Sequence, residues 1–224
     1  MIFTHGGNSI SRDAGEKFIV LYNGISNRGL PITSGSFGTI SRDTSGPLIA
    51  PDGLGMPYFN RRNFGGNLVV SEHDEMKAVF NSKNWTVDFW LSIHGGNNNV
   101  CQNNIVDIRN ADNTNILWCG EQYYQTPYVT TYNIIGSMKF TSSSTWSHIA
   151  IVSDASSGYC VLYQNGIKIN QQAINNNVAD ANRIRFGYYY TSQLDSNLQC
   201  YIAQFAVRDY PVWTTNFTPP TQMY

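Results

Sequence analysis

The acidic side chains that come nearest to a catalytic pair are Glu72, Asp74 and Glu75, in the run SEHDE. Retaining glycoside hydrolysis needs two carboxyl groups about 5–5.5 Å apart, one of them acting as a general acid. Residues 71–80 carry the best helical pattern in the chain, but it is short and polar and predicts a turn at most. Carboxylates in such a turn are usually solvated, so we predict no catalytic residues and no enzyme activity.

Metal and nucleophile motifs are missing from the sequence. The four histidines form no HExxH or i, i+4 pair, and the four cysteines form no CxxC pair. We predict isolated histidines, buried free thiols and no cofactor or metal. Two alternatives stay open: a disulfide, and a Ca²⁺ site built from loop oxygens and backbone carbonyls. The residues concerned are His5, His73, His94, His148, Cys101, Cys119, Cys160 and Cys200, and for Ca²⁺ Asp154 or Asp195.

Tyrosine clusters offer a binding chemistry instead. Successive residues on a strand point to opposite faces, so Tyr123 and Tyr124 in EQYYQTPYVTTY cannot both lie in a core. Exposed tyrosines beside amides can stack on sugar rings or form a protein interface. An amphipathic outer sheet face is the alternative. The predicted carbohydrate or partner contacts are Tyr123, Tyr124, Tyr128 and Tyr189.

The elements that would position these side chains are strands. WTVDFWLSIH alternates strictly, with Trp85, Val87, Phe89, Leu91 and Ile93 on one face and the polar residues and Trp90 on the other. Asn165-Gly166 is a strong hairpin signal, and the cluster at residues 110–113 predicts a second hairpin turn. Short strands between Gly, Asn and Ser turns, with no clear helices, predict an all-β sandwich of two antiparallel sheets.

Charge and hydropathy exclude two classes of partner. The net charge is −1 and the pI about 6.4, so no basic field exists for nucleic acid. No run approaches the roughly 18–20 apolar residues of a membrane span. The start, MIFTHGGNSISRD, lacks a signal-peptide pattern. We therefore expect a product that stays in the cytoplasm in which it is made or leaves it within an assembly.

The chain divides into an arm, residues 1–17, and a single domain, residues 18–224. The arm is polar and glycine-rich and keeps Ile2, Phe3 and Ile10 as apolar anchors. Such a segment would order only against a partner, by adding a strand to an exposed sheet edge. We predict an attachment arm, with a frayed terminus or an extra edge strand as alternatives.

The domain ends on WTTNFTPPTQMY. Consecutive prolines cannot continue a helix or a sheet ladder, so an extended segment is predicted after a last strand that ends near Arg208. We predict that this segment crosses the sandwich as a strap. Its predicted anchors are Trp213, Phe217 and Tyr224.

Several runs, in order, resemble the concanavalin A-like, laminin-G-type domains. These runs are LVV followed by WTVDFWLSI, then WSHIAIVSD with YCVLYQNGIKI, then IRFGYY, and finally YIAQFAVRDYPVWTTNFTPP. The resemblance implies a concanavalin A-like jelly-roll β-sandwich. It also marks two departures, because the family's acidic pair in the last strand is Ala203-Gln204 here and its Asp-Gly is Asn165-Gly166. The family's glucanases carry E-x-D-x-x-E on one strand, and no such run occurs in this chain.

The NFT-PP-T ending is similar to tailed-bacteriophage versions of the fold. This resemblance implies a non-enzymatic virion structural protein on the particle exterior, either a capsid decoration or an accessory head or tail protein, assembled in the cytoplasm of a bacterial host. Its implied partners are a major capsid or tail protein, copies of itself and host-surface glycans. The alternative is a carbohydrate-binding adhesin or receptor-binding tail protein, and a glycan hydrolase ranks below both.

Overall fold

A computed structural model describes the molecule over part of its length, and the statements below concern that part. The described residues are 18–22, 27–30, 40–60, 68–70, 73–93, 103–110, 115–121, 128–132, 135–139, 145–174, 180–186 and 200–224.

Strands make up most of these ranges, which confirms the predicted all-β class. The strands are β1 (Val20–Tyr22), β2 (Asn27–Gly29), β3 (Ile40–Asp43), β4 (Met56–Asn60), β5 (Leu68–Val70), β6 (Trp85–Ile93), β7 (Asn103–Arg109), β8 (Asn115–Glu121), β9 (Tyr128–Tyr132), β10 (Ile135–Lys139), β11 (Ser147–Asp154), β12 (Tyr159–Gln164), β13 (Ile167–Ala173), β14 (Arg183–Phe186) and β15 (Cys200–Arg208).

The strands form two antiparallel sheets, as predicted. Sheet A has the order β13-β12-β11-β6-β15-β1-β2, and β4 joins it on β15 with β3 alongside. Sheet B has the order β10-β9-β8-β7-β14-β5. Both predicted hairpins are present: β7 pairs with β8, and β12 pairs with β13. Asn165 and Gly166 have φ of 51° and 76°, the left-handed pair that a tight type I′ turn requires.

The core lies between the two sheets. The predicted inward face of β6 is confirmed at Trp85, Val87, Phe89 and Leu91, which are buried in the main apolar cluster, whereas the side chain of Ile93 is not described. Val106, Ile108 and Ile184 from sheet B belong to the same cluster. The thiol of Cys160 is also buried there and free, and burial raises its pKa, so it acts as a small apolar side chain.

The prediction of a turn at residues 71–80 was wrong. Asp74–Asn81 forms an α-helix, α1, of eight residues. Its buried residues Met76, Val79 and Phe80 recur at three- and four-residue spacing and pack on the core, where the Phe80 ring meets Trp85 edge-on at 5.2 Å. The helix is marginal by its sequence, and the apolar contact with the sandwich stabilises it. No described helix has the length and apolarity that a membrane crossing requires.

A bulge in β15 sets which side chains reach the outer face of sheet A. Ala203 lies opposite Trp90 and Ala206 lies opposite Asp88, so β15 uses one residue more than β6 between these pairs. Gln204 takes up the extra residue, with φ of 51°. As a result Phe205 points to the core, and Arg208 lies on the outer face.

Residues 209–224 cross the outer face of sheet A, which confirms the predicted strap. The Phe217 N–H donates to the Gly166 carbonyl at 2.9 Å, and the Ile49 N–H donates to the Thr221 carbonyl at 2.7 Å. Trp213 and Phe217 stack at 4.1 Å and pack on Ala150, Val152 and Tyr163, and Tyr224 packs on Phe18, Leu21 and Ala206.

Candidate functional site

Three aromatic side chains lie together on the outer face of sheet A beyond the strap. Tyr58 comes from β4, Tyr201 from β15 and Trp146 from the residue before β11. They meet at the end of the sheet where β6 finishes and β11 and β15 begin, and all three are partly exposed. We call Tyr58, Trp146 and Tyr201 the aromatic cluster.

The rings of the aromatic cluster touch one another. The centroids of Tyr58 and Tyr201 are 4.5 Å apart at an interplanar angle of 30°. Trp146 lies edge-on to Tyr58 at 5.8 Å and 6.4 Å from Tyr201. These separations are within the range of favourable aromatic pairs, so each ring restricts its neighbours.

Asp43, the last residue of β3, fixes the indole of Trp146. The Trp146 Nε1–H donates to Asp43 Oδ2 at 2.7 Å, and Asp43 Oδ1 accepts from the N–H and the hydroxyl of Ser45, each at 2.8 Å. Burial alone would raise the pKa of Asp43, but the hydrogen bonds from Trp146 and Ser45 together lower it below its ordinary value. The carboxylate is therefore charged at neutral pH and orients the ring.

A second acidic residue lies in the loop that leaves β3. Asp52 accepts two hydrogen bonds from the Arg42 guanidinium, at 3.2 Å and 2.9 Å, and one from the Leu54 N–H at 3.0 Å. Arg42 also donates to the Gly55 carbonyl at 3.0 Å. The Leu54 hydrogen bond, with Arg42 beside it, lowers the pKa of Asp52. The ion pair holds the loop, and the Leu54 side chain at its tip is 65% exposed.

The centre of the outer face is closed. Asp88 is buried under the strap, where it pairs with the guanidinium of Arg208. Its Oδ2 lies 3.2 Å from His148 Nε2 and accepts from the Tyr224 hydroxyl at 3.2 Å. The Arg208 guanidinium also lies 4.7 Å from the Phe18 ring centroid and 4.3 Å from that of Tyr224. This network joins three strands to the strap and leaves no open surface there.

Burial would by itself raise the pKa of Asp88. Arg208 and His148 outweigh that effect, and the net pKa is below the ordinary value. The prediction that the histidines are isolated was therefore wrong for His148. The register that sets His148 opposite Trp90 brings its ring to Asp88 on the same face, and sequence spacing across 60 residues gave no sign of this pairing.

Most of the predicted contact residues fall outside the described part of the chain. Tyr128 is the first residue of β9, of which only the backbone is described. Asp74 and Glu75 form the exposed first turn of α1. The predicted residues outside the description are Tyr123, Tyr124, Tyr189, Ile2, Phe3, Ile10, Glu72, Asp195, His5, His94 and Cys101, and only the backbone is described at Cys119 and Cys200.

Asp154, the described candidate for Ca²⁺, is engaged within its own turn. Its Oδ1 accepts from the Ser156 N–H at 2.9 Å and from the Ser156 hydroxyl at 2.6 Å, and these bonds lower its pKa. Among the residues that the structure describes, no three His, Cys, Asp or Glu side chains come together as a metal site. Asp195, the other predicted candidate for Ca²⁺, lies outside the described residues.

A family model of laminin-G type, described as the concanavalin A-like lectin/glucanases superfamily, matches residues 64–213. None of the curated proteins matches the sequence.

Several solved structures have a similar fold. The binding domain of botulinum neurotoxin serotype G superposes with a TM-score of 0.58 at 16% identity, covering 88% of this chain and 49% of that one. A mutant of the protein HCR D/C gives 0.54 at 14% identity, covering 79% and 43%. A structure described as a receptor binding domain gives 0.50 at 14% identity, covering 70% and 39%. The chain thus matches less than half the length of these solved chains, and the likeness extends to the fold alone.

Proposed function

Because the chain belongs to the concanavalin A-like lectin/glucanases superfamily, we propose that it is a non-enzymatic binding domain that contacts carbohydrate and is displayed on the exterior of a bacteriophage particle. The partly exposed aromatic cluster of Tyr58, Trp146 and Tyr201 carries this proposal. Rigid aromatic rings at a surface supply apolar area with little loss of conformational entropy on binding, and tyrosine hydroxyls can hydrogen-bond to sugar hydroxyls.

The described carboxyl groups with a shifted pKa support binding rather than hydrolysis. A glycosidase needs one carboxylic acid whose pKa is raised, so that it is protonated near neutral pH. Among the described residues, each carboxyl group with a shifted pKa is shifted downward. These groups are Asp43, Asp52, Asp88, Asp154 and Asp180.

An array of bacterial and animal glycans, run beside a reducing-sugar assay on the same polysaccharides, tests this part of the proposal. We expect retention of the protein on at least one glycan class with no release of reducing ends. Release of reducing sugar by the purified chain would instead establish the glycan hydrolase.

Display on a particle is supported by the charge-poor composition, with 13% charged residues, and by the docked proline-rich strap. Pro219 and Pro220 have no N–H to donate, so this segment offers a poor template for pairing with a further strand. Mass spectrometry of purified particles whose genome encodes the chain tests the display. We expect the protein in stoichiometric amounts, and its absence from intact particles would refute a virion role.

The proposed attachment uses the arm, residues 1–17, against a major capsid or tail protein or a neighbouring copy. The apolar residues Ile2, Phe3 and Ile10 would be the anchors. Deleting residues 2–12 and mixing the folded product with undecorated particles should abolish occupancy. Full occupancy without the arm would assign attachment to another surface.

A further inference from the structure

We infer that the aromatic cluster stacks against the C–H face of a neutral pyranose ring and selects against sialylated and other anionic glycans. This inference rests on the proposed function and specifies its ligand. Three features of the described residues support it: the spacing of the rings, the local charge and the way Trp146 is held.

The spacing of the rings decides how a ligand can lie. A group inserted between two rings contacts each at about 3.5–4 Å, so the ring planes would need to stand roughly 7–8 Å apart. The Tyr58 and Tyr201 centroids are only 4.5 Å apart, and Trp146 lies 5.8 Å from Tyr58. The cluster therefore has no slot for a cation or a nucleobase between its rings. A ligand has to stack on the exposed side of the cluster, as the C–H face of a sugar can.

Asp43 places a negative charge beside the aromatic cluster, because its carboxylate has a lowered pKa and accepts from the Trp146 N–H. Arg42, the preceding residue of β3, is paired with Asp52. A carboxylate on a sugar is bound most strongly by a charged bidentate donor such as a guanidinium. Both terminal nitrogens of Arg42 already donate to Asp52, and one donates to Gly55 as well. A sialic acid carboxylate would thus meet like charge, whereas a neutral ring would not.

Because Trp146 is held by its neighbours, its stacking surface is already in place before a ligand binds. Its indole N–H donates to Asp43 at 2.7 Å, and its ring forms a T-shaped pair with Tyr58 at 5.8 Å. A side chain already in its bound conformation loses little entropy on binding. Asp43 is then a positioning residue, and Trp146 is the contact residue.

The test compares neutral and sialylated versions of the same oligosaccharides, terminated in glucose, galactose or N-acetylhexosamine, on an array and by titration calorimetry. The variants are Trp146→Ala, Asp43→Asn and, as a control, Tyr159→Ala. Tyr159 is 41% exposed and begins β12 opposite Asp154, at the end of β11 that lies away from the cluster. Trp146→Phe replaces Trp146→Ala if the latter fails to fold. Circular dichroism and urea unfolding verify the fold of each variant.

We expect binding to neutral glycans that falls about tenfold or more in Trp146→Ala, falls less in Asp43→Asn and is unchanged in Tyr159→Ala. Trp146-dependent preference for sialylated glycans would overturn the ligand class while leaving a glycan-binding function intact. Neutral binding unchanged in a folded Trp146→Ala would overturn the site but not the function. Failure to bind any glycan would overturn both the inference and the carbohydrate part of the proposed function.

Discussion

The carboxylate of Asp88 and the guanidinium of Arg208 form an ion pair inside the protein, between strands β6 and β15, with side chains that are 1% and 0% exposed. Asp88 lies directly opposite Ala206, so Arg208 is its diagonal neighbour on the outer face. The strap closes over the pair, and the Tyr224 hydroxyl donates to the same carboxylate. The Asp88 carboxylate therefore links sheet A to the strap.

Removing either partner of this pair should destabilise the fold strongly. Asp88→Asn removes the carboxylate that pairs with the buried guanidinium, and Arg208→Met leaves the buried carboxylate with His148 and the Tyr224 hydroxyl in place of a full ion pair. We expect each to lower the free energy of unfolding by about 3–5 kcal/mol, measured by urea unfolding. The double variant should lose clearly less than the sum of the two. Strict additivity would show that the two side chains are not coupled.

Stability should also fall in acid through Asp88. Its pKa is lower in the folded protein than the roughly 3.9 of an unfolded aspartate, so its contribution is complete above that value and is lost as the pH falls through the folded pKa. Urea unfolding between pH 7 and pH 3 should show a loss below about pH 4 that is smaller in Asp88→Asn. An equal acid loss in both proteins would exclude Asp88 as its source.

Substitutions at two glycines, Gly158 and Gly166, can distinguish the cost of backbone strain from the cost of disturbing the strap. Gly166 and Gly158 have nearly equal φ, 76° and 75°. A Cβ at Gly166 would lie 1.8 Å from the Phe217 carbonyl oxygen, whereas a Cβ at Gly158 meets nothing within 4 Å.

We therefore expect Gly158→Ala to cost about 1–2 kcal/mol from the left-handed backbone alone. Gly166→Ala should cost about 2 kcal/mol more, because the strap must shift from Phe217 onward and loses buried area. Thermal unfolding of both variants measures the difference. Equal losses would mean that the strap does not press on the β12–β13 turn.

Deleting residues 212–224 should lower the free energy of unfolding by about 2–5 kcal/mol, because Trp213 and Phe217 each bury part of their apolar area against Ala150, Val152 and Tyr163. The exposed face should then bind a hydrophobic dye. The control is Thr215→Ala, an exposed change within the strap expected to cost less than about 0.5 kcal/mol. A truncated protein with an unchanged melting temperature would show that the strap contributes nothing to stability.

The sequence by itself determined the features that repeat with a short period or demand a special backbone. Strict alternation identified the inward face of β6, from Trp85 to Leu91. Asn165-Gly166 located the turn of the β12–β13 hairpin, since both residues tolerate positive φ. Two adjacent prolines predicted an extended segment after Arg208. Each of these signals is local, because it is carried by neighbouring residues.

The tertiary structure alone decided the contacts between distant residues. The helix α1 is too short to be stable alone and exists because Met76, Val79 and Phe80 pack on the sandwich. The Asp88–His148 contact and the cluster of Tyr58, Trp146 and Tyr201 join residues 60 or more positions apart or on separate strands. No periodic pattern in the sequence predicts contacts of this kind.

The bulge in β15 illustrates why the sequence alone does not predict such contacts. A strand's side chains alternate with a period of two, so one added residue reverses which face every later side chain meets. Gln204 is that residue, and it places Arg208 beside Asp88 and lets its own amide oxygen accept from the Tyr224 N–H at 3.1 Å. Its left-handed φ is unfavourable for a residue with a side chain, so the strand's own sequence does not favour it. The packing of Phe205 in the core and the docking of the strap on the outer face together stabilise this conformation of Gln204. Both contacts depend on the assembled sheets.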